Sequence, residues 1–110
     1  METPTNPILK VYDIRMIAAA CKAHGALLAV DNTFMSPVNQ NPLLLGADIC
    51  MQSMTKYCGG HSDLIAGSVC VNSRDLYEQL NVSMQNLGTG IDGFNAWLAM
   101  RSCKTIELRV

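Results

Sequence analysis

Two polar stretches stand where apolar runs end. Ser53-Met54-Thr55-Lys56-Tyr57-Cys58 follows the run Ala47 to Met51 and precedes Gly59-Gly60-His61-Ser62-Asp63. Asp31-Asn32-Thr33 follows the run Ala26 to Val30. The first places an amine beside two hydroxyls, and the second offers a carboxylate. An amine can form a Schiff base with an aldehyde, and hydroxyls can donate to phosphate oxygens. A carboxylate beside a pyridine nitrogen keeps that nitrogen protonated, because the opposite charge favours the charged form. Pyridoxal phosphate needs all three groups.

On this reading Lys56 holds the cofactor and, once released, moves protons as a base. Asp31 pairs with the ring nitrogen, and Ser53 and Thr55 donate to the phosphate. Gly59-Gly60 lets the backbone turn sharply after the lysine. Each residue also has a plainer reading. An Asp-Asn pair after a strand is commonly a turn, and a loop lysine is commonly solvated. His61 reads as a structural hydrogen-bonding histidine and His24 as a favourable charge at a helix end. Trp97 and the methionines read as core. Cys58, His61 and Asp63 share one tight loop, a poor frame for enclosing a metal, so no metal site is expected.

Composition narrows the class. The chain has 110 residues and a net charge of −1, enough for one domain. No basic stripe or aromatic ladder points to nucleic acid. No apolar run approaches the ~20 residues of a membrane helix. The start, Met1 to Pro7, lacks the basic and apolar regions of a signal peptide. The expectation is a soluble, cytoplasmic chain. Hydrophobic residues make up 49% but charged residues only 15%, against roughly 25% in a typical soluble domain. A small domain has much surface to cover, so part of this surface is expected to be covered by other protein. The five cysteines include no Cys-x-x-Cys pair, which argues against a disulfide framework or a zinc site. Cys21, Cys50 and Cys70 fall in apolar segments as small hydrophobes, which suits a reducing compartment.

The elements that must position these groups follow from periodicity. Residues 1–11, with Pro4 and Pro7, read as an extended loop. Asp13 caps a helix to about His24, with Ile14, Ile17, Ala18 and Cys21 on one face. Ala26 to Val30 reads as a strand covered on both faces. Residues 32–42 read as a loop and Ala47 to Gln52 as a second strand. Residues 53–63 form a loop, and Leu64 to Val71 a third strand. Asn72 or Ser73 caps a helix with Leu76, Tyr77, Leu80, Met84 and Leu87 on one face. Asp92 caps a last helix carrying Phe94, Trp97, Leu98 and Met100. The order implies an α/β fold whose first two strands run parallel. In such sheets ligands sit beyond the carboxyl ends of strands, which brings Asp31 and Ser53 to one edge.

Several segments, in order, resemble the cystathionine γ-synthase/γ-lyase family of pyridoxal-phosphate enzymes. They are Glu2-Thr3-Pro4-Thr5-Asn6-Pro7, Val30-Asp31-Asn32-Thr33-Phe34-Met35-Ser36-Pro37, Pro42 to Ile49, Ser53 to Tyr57 and Gly60-His61-Ser62-Asp63. Gln85-Asn86-x-Gly88 and the stretch Trp97-Leu98…Arg101…Lys104-Thr105 agree as well.

The resemblance implies part of the large domain of a fold type I, aspartate-aminotransferase-like enzyme. Its sheet would be mixed and mostly parallel, with flanking helices and the strand at 64–71 antiparallel. Lys56 would form the Schiff base and act in catalysis. Asp31, Ser53 and Thr55 would bind the cofactor, as would Asn6, near its phenolic oxygen and the substrate. Residues 1–110 would be a partial cofactor-binding domain, with the family's N-terminal segment and C-terminal domain absent.

The implied activity is a carbon–sulfur lyase of transsulfuration acting on a sulfur amino acid such as cystathionine, in a homo-oligomer. The alternatives are a γ-synthase-type transferase and a non-catalytic fragment of such an enzyme. Arg101-Ser102-Cys103-Lys104 departs from the family's usual Arg-Gly-Leu-Lys but touches no cofactor residue.

Overall fold

Helix α1 (Ile14–Ala23) starts where Asp13 can serve its first free amides. In the computed structural model, which describes residues 1–110, the Asp13 carboxylate accepts from the N–H groups of Arg15 at 2.8 Å and Met16 at 3.2 Å. This is an N-cap, and it satisfies two donors the helix itself cannot. The predicted face is the buried one. Ile14 joins Leu28, Val30 and Ala47 in the core, with Ile17, Ala18, Cys21 and Leu45 packed against them.

Strand β1 (Ala29–Asp31) pairs parallel with β2 (Ile49–Ser53), which pairs antiparallel with β3 (Gly67–Val71). Residues 1 and 2 extend the sheet beyond β1. Glu2 bridges Asp31 in parallel, and the Asp31 N–H donates to the Met1 carbonyl at 2.8 Å. The 1–11 segment is therefore tied to the sheet at its start.

The strands begin later than periodicity suggests, and for the first two a side chain from the neighbouring strand's approach is the reason. The Asp48 carboxylate takes the Leu28 N–H at 2.8 Å, and the Leu28 carbonyl takes the N–H groups of Asp48 and Ile49. The Leu28 backbone is thus tied to Asp48 before the ladder starts. The expected two-sided burial of the first strand is not observed: Leu28 and Val30 are buried, whereas Leu27 and Ala29 are exposed. Alternation is what a strand shows when one face is covered and the other open.

Residues 32–45 are ordered by a side chain rather than left as a loop. They contain a short helix α2 (Ser36–Asn39) and a 3₁₀ turn (Pro42–Leu45). Asn32 is 1% exposed, and its amide donates to the carbonyls of Ser36 at 2.9 Å and Gln40 at 2.8 Å. Its oxygen accepts from Gln40 Nε2 at 2.8 Å. Asn32→Ala would strand the buried Ser36 carbonyl and the half-buried Gln40 groups and should cost about 3 kcal/mol, at about 1–3 kcal/mol per unsatisfied group. Urea unfolding checks this, and a loss below about 1 kcal/mol would show that the segment is held by something else.

Helix α3 (Arg74–Leu87) is capped by the Ser73 hydroxyl and stopped by Gly88 at φ 66°, a left-handed position that suits glycine. Helix α4 (Gly93–Cys103) is capped by Asp92. Hydrogen bonds from Asn95 and the Phe94 amide hold the Asp92 carboxyl below its ordinary range. Helix α5 (Ile106–Arg109), not foreseen from periodicity, follows.

The reading of Trp97 and the methionines as core is corrected here. Trp97 is 54% exposed, Met16, Met84 and Met100 are exposed, and no methionine is among the buried residues. Helix α3 buries none of its residues, and Tyr77 and Leu87 on its apolar face are exposed. Cys70 is also exposed, unlike Cys50. These faces are apolar as the sequence implies, but this chain covers them only in part, as at the half-buried Leu76 and Leu80.

Candidate active site

Parallel pairing sends β1 and β2 out of the sheet in the same direction, so their carboxyl ends share an edge. In register, Asp31 faces Met51, and Ser53 lies two residues further along. The two strand ends are joined by a side chain: Thr33 Oγ1 accepts the Ser53 N–H at 2.8 Å. Asp31 is half-buried, and one of its carboxylate oxygens accepts the Thr33 N–H at 2.9 Å. That bond fixes the carboxylate's direction.

Beyond Ser53 the chain coils tightly through Met54–Cys58 rather than forming an open loop. The coil is broken at Lys56, whose φ −92° and ψ −121° are not helical. The N–H groups of Gly59 and Gly60 return to the carbonyls of Met54 at 2.6 Å and Lys56 at 2.7 Å. The reading of Gly59-Gly60 as a sharp turn holds, but the two serve differently. Gly60 has φ 73°, a backbone state that L side chains seldom adopt. Gly59 is right-handed, and a Cβ there would lie 2.6 Å from the Met54 carbonyl oxygen.

Lys56, Asp31, Ser53, Thr55 and Asn6 all line one open cleft of about 990 Å³. Glu2, Thr33, Phe34, Tyr57 and Arg109 line it too. Lys56 and Asn6 are exposed to the cleft, whereas Asp31, Ser53 and Thr55 are half-buried. The two hydroxyls differ. Ser53 engages the protein through its backbone N–H, leaving its hydroxyl for a ligand. Thr55 Oγ1 accepts the Ala66 N–H at 3.2 Å and donates to the Ala66 carbonyl at a long 3.4 Å. Its proton can turn to a phosphate oxygen while the bond from Ala66 is kept.

The neighbouring groups behave as structure. His61 Nδ1 lies 2.7 Å from the Gly59 carbonyl, and His24 Nδ1 lies 2.8 Å from the Ala20 carbonyl near the end of α1. Burial pushes the thiols of Cys50 and Cys58 up. Cys58, two residues from Lys56, therefore stays a thiol at neutral pH and is a weak nucleophile there. Sequence reasoning missed Glu2, Thr33 and Arg109. Thr33 had a signal, since a hydroxyl follows Asp31 by two residues at the strand end. Arg109 had none, because only the fold brings it to the lysine.

The full chain, residues 1–110, matches the family model described as Cys/Met metabolism PLP-dependent enzyme. It is 49% identical to cystathionine beta-lyase of Lactococcus lactis subsp. cremoris (strain MG1363), over 99% of this chain and 29% of that protein. It is 49% identical to cystathionine gamma-lyase of Dictyostelium discoideum, over 100% of this chain and 28% of that protein. Among solved structures it superimposes on cystathionine gamma synthase from Xanthomonas oryzae pv. oryzae, in complex with aminoacrylate and cysteine. That match has a TM-score of 0.96 at 42% identity and covers 98% of this chain and 28% of the synthase. The chain thus spans under a third of each relative's length. The mixed sheet with flanking helices, including the antiparallel third strand, superimposes on the matched part of that enzyme.

Proposed function

This chain belongs to the family of pyridoxal-phosphate-dependent enzymes of cysteine and methionine metabolism, and we propose that it forms the cofactor-holding part of the large domain of a carbon–sulfur lyase acting on sulfur amino acids. The observation that carries this reading is the shared cleft. A carboxylate on the last residue of one strand and a lysine amine just past the end of its parallel neighbour line one cavity with Ser53, Thr55 and Asn6. The donor set fits the cofactor: an amine for its aldehyde, a carboxylate for its ring nitrogen and hydroxyls for its phosphate. The cavity size also falls within the range for cofactor sites, roughly 300–1,000 Å³.

Pyridoxal phosphate, when bound, supplies an electron sink for negative charge at the substrate's α-carbon. Asp31 keeps the ring nitrogen protonated, its carboxylate aimed by the Thr33 N–H. Ser53 and Thr55 bind phosphate oxygens, and Asn6 orients the phenolic oxygen and the substrate. Lys56, held on a broken coil at the cleft wall, takes the α-proton as a base and returns it where the leaving thiol departs. The family relationship to a beta-lyase and a gamma-lyase supports the lyase reading. The similarity to a gamma synthase supports a transferase on the same cleft as the second reading. Product analysis separates them, because a lyase releases thiol from cystathionine and a synthase forms the thioether.

The assembled protein is proposed to be a cytoplasmic homo-oligomer. The exposed Tyr77, Met84 and Leu87 of α3 and the exposed Trp97 and Met100 of α4 support burial against further protein. No helix is long and apolar enough to cross a membrane.

The direct test is to incubate the chain with pyridoxal phosphate, reduce with borohydride and map the pyridoxyl group by mass spectrometry. Label at Lys56 should exceed that at Lys10, Lys22 and Lys104 by about tenfold or more, reflecting a lysine held in a formed pocket. Even labelling of all four would reject the site.

A further inference from the structure

Arg109 makes an unusual set of contacts for a surface arginine. It sits on α5, and its guanidinium reaches back under the loop that carries Lys56. Nη1 donates to the Tyr57 carbonyl at 2.6 Å. Nη2 donates to the carbonyls of Cys58 at 3.3 Å and Ser102 at 2.7 Å. Nε donates to Thr105 Oγ1 at 3.1 Å. Four of its five N–H groups are thus committed. None goes to a carboxylate; the chain's ion pairs are Arg74–Glu78 and Arg101–Asp63. The cation is therefore held by carbonyl dipoles, and it ties the end of α4 to the lysine loop. Gly60 makes room for it: a Cβ there would lie on the guanidinium, 2.6 Å from Cζ.

We propose that Arg109 is a positioning residue for Lys56. The Tyr57 carbonyl belongs to the residue directly after the lysine, and the Gly60 N–H closes on the lysine's own carbonyl. The clamp therefore holds the turn directly after the residue on which the amine is mounted, a turn whose own bond closes on that residue. Lys56 sits at a non-helical break in a coil. A lysine in place of Arg109 would keep the charge, but its three donors radiate from a point and cannot serve four acceptors on two sides.

This role rests on the proposed cofactor site, and the test separates the two. The readout is the ratio of pyridoxyl label at Lys56 to that at Lys22, measured beside the urea midpoint. In Arg109→Lys the ratio should fall about tenfold, the order of loss that misplacing a reacting group brings, at temperatures where the variant remains folded. An arginine that only supplied charge or bulk stability would be rescued by lysine. An unchanged ratio would therefore overturn the proposal, even if the midpoint dropped. Should Arg109→Lys fail to fold, Thr105→Val keeps the arginine and removes the acceptor that orients Nε, together with the hydroxyl's own bond to the Ser102 carbonyl. A fall in the ratio then supports the role, and an unchanged ratio overturns it. Wild-type chain without selective label at Lys56 would overturn the proposed function, and this role with it.

Discussion

Lys56→Ala should abolish selective pyridoxyl labelling and reduce thiol release from cystathionine by about a thousandfold or more. The amine has two roles in one atom. In the proposed reaction it holds the cofactor covalently, and it transfers the proton whose loss begins the elimination, a function worth roughly 10²–10⁴-fold by itself. The three other lysines, Lys10, Lys22 and Lys104, lie outside the residues that line the cleft, so none can substitute. The substitution should leave folding intact, because the Lys56 side chain is exposed to the cleft rather than packed. Mass mapping after borohydride and a thiol assay check both halves. Turnover by the alanine variant near the wild-type rate would reject the proposed chemistry outright.

Asp31→Asn is expected to lose about a hundredfold in turnover while retaining pyridoxyl label at Lys56. The two effects separate because the residues are proposed to address opposite ends of the ring. The asparagine oxygen can still accept the Thr33 N–H that now goes to the carboxylate, so the strand end should keep its shape. What disappears is the negative charge. An opposite charge nearby can shift a partner's protonation by roughly 1–3 pKa units, and about two units correspond to the expected hundredfold. Asp31→Glu, which restores the charge on a longer arm, should recover part of the rate. Equal turnover of Asp31→Asn and wild type would show that the ring nitrogen is served by another group, with Glu2 the acid to examine next.

The positions of both residues could be read from the chain because each follows an apolar run that had to become a strand. The helix that covers those strands was equally legible. Ile14, Ile17, Ala18 and Cys21 recur at helical spacing behind an Asp cap, and that face is the buried one. The strand limits were not legible, since the Asp48 carboxylate claims the Leu28 N–H that the ladder would have used. Local pattern carries no record of a side chain twenty residues away. The same applies to residues 32–45, where the buried Asn32 amide organises a segment whose composition reads as loop. The exposed Trp97 and methionines show a further limit. Hydrophobicity states that a residue seeks cover but not whether the cover lies within the same chain.

The hydroxyl of Thr33 grips the amide of Ser53 across the gap between the strands. Neither tip can therefore drift without dragging the other. A molecule stretched between acid and amine meets jaws whose gape was set during folding. Little ordering entropy then remains to be lost when it docks, which tightens its hold without adding a single contact.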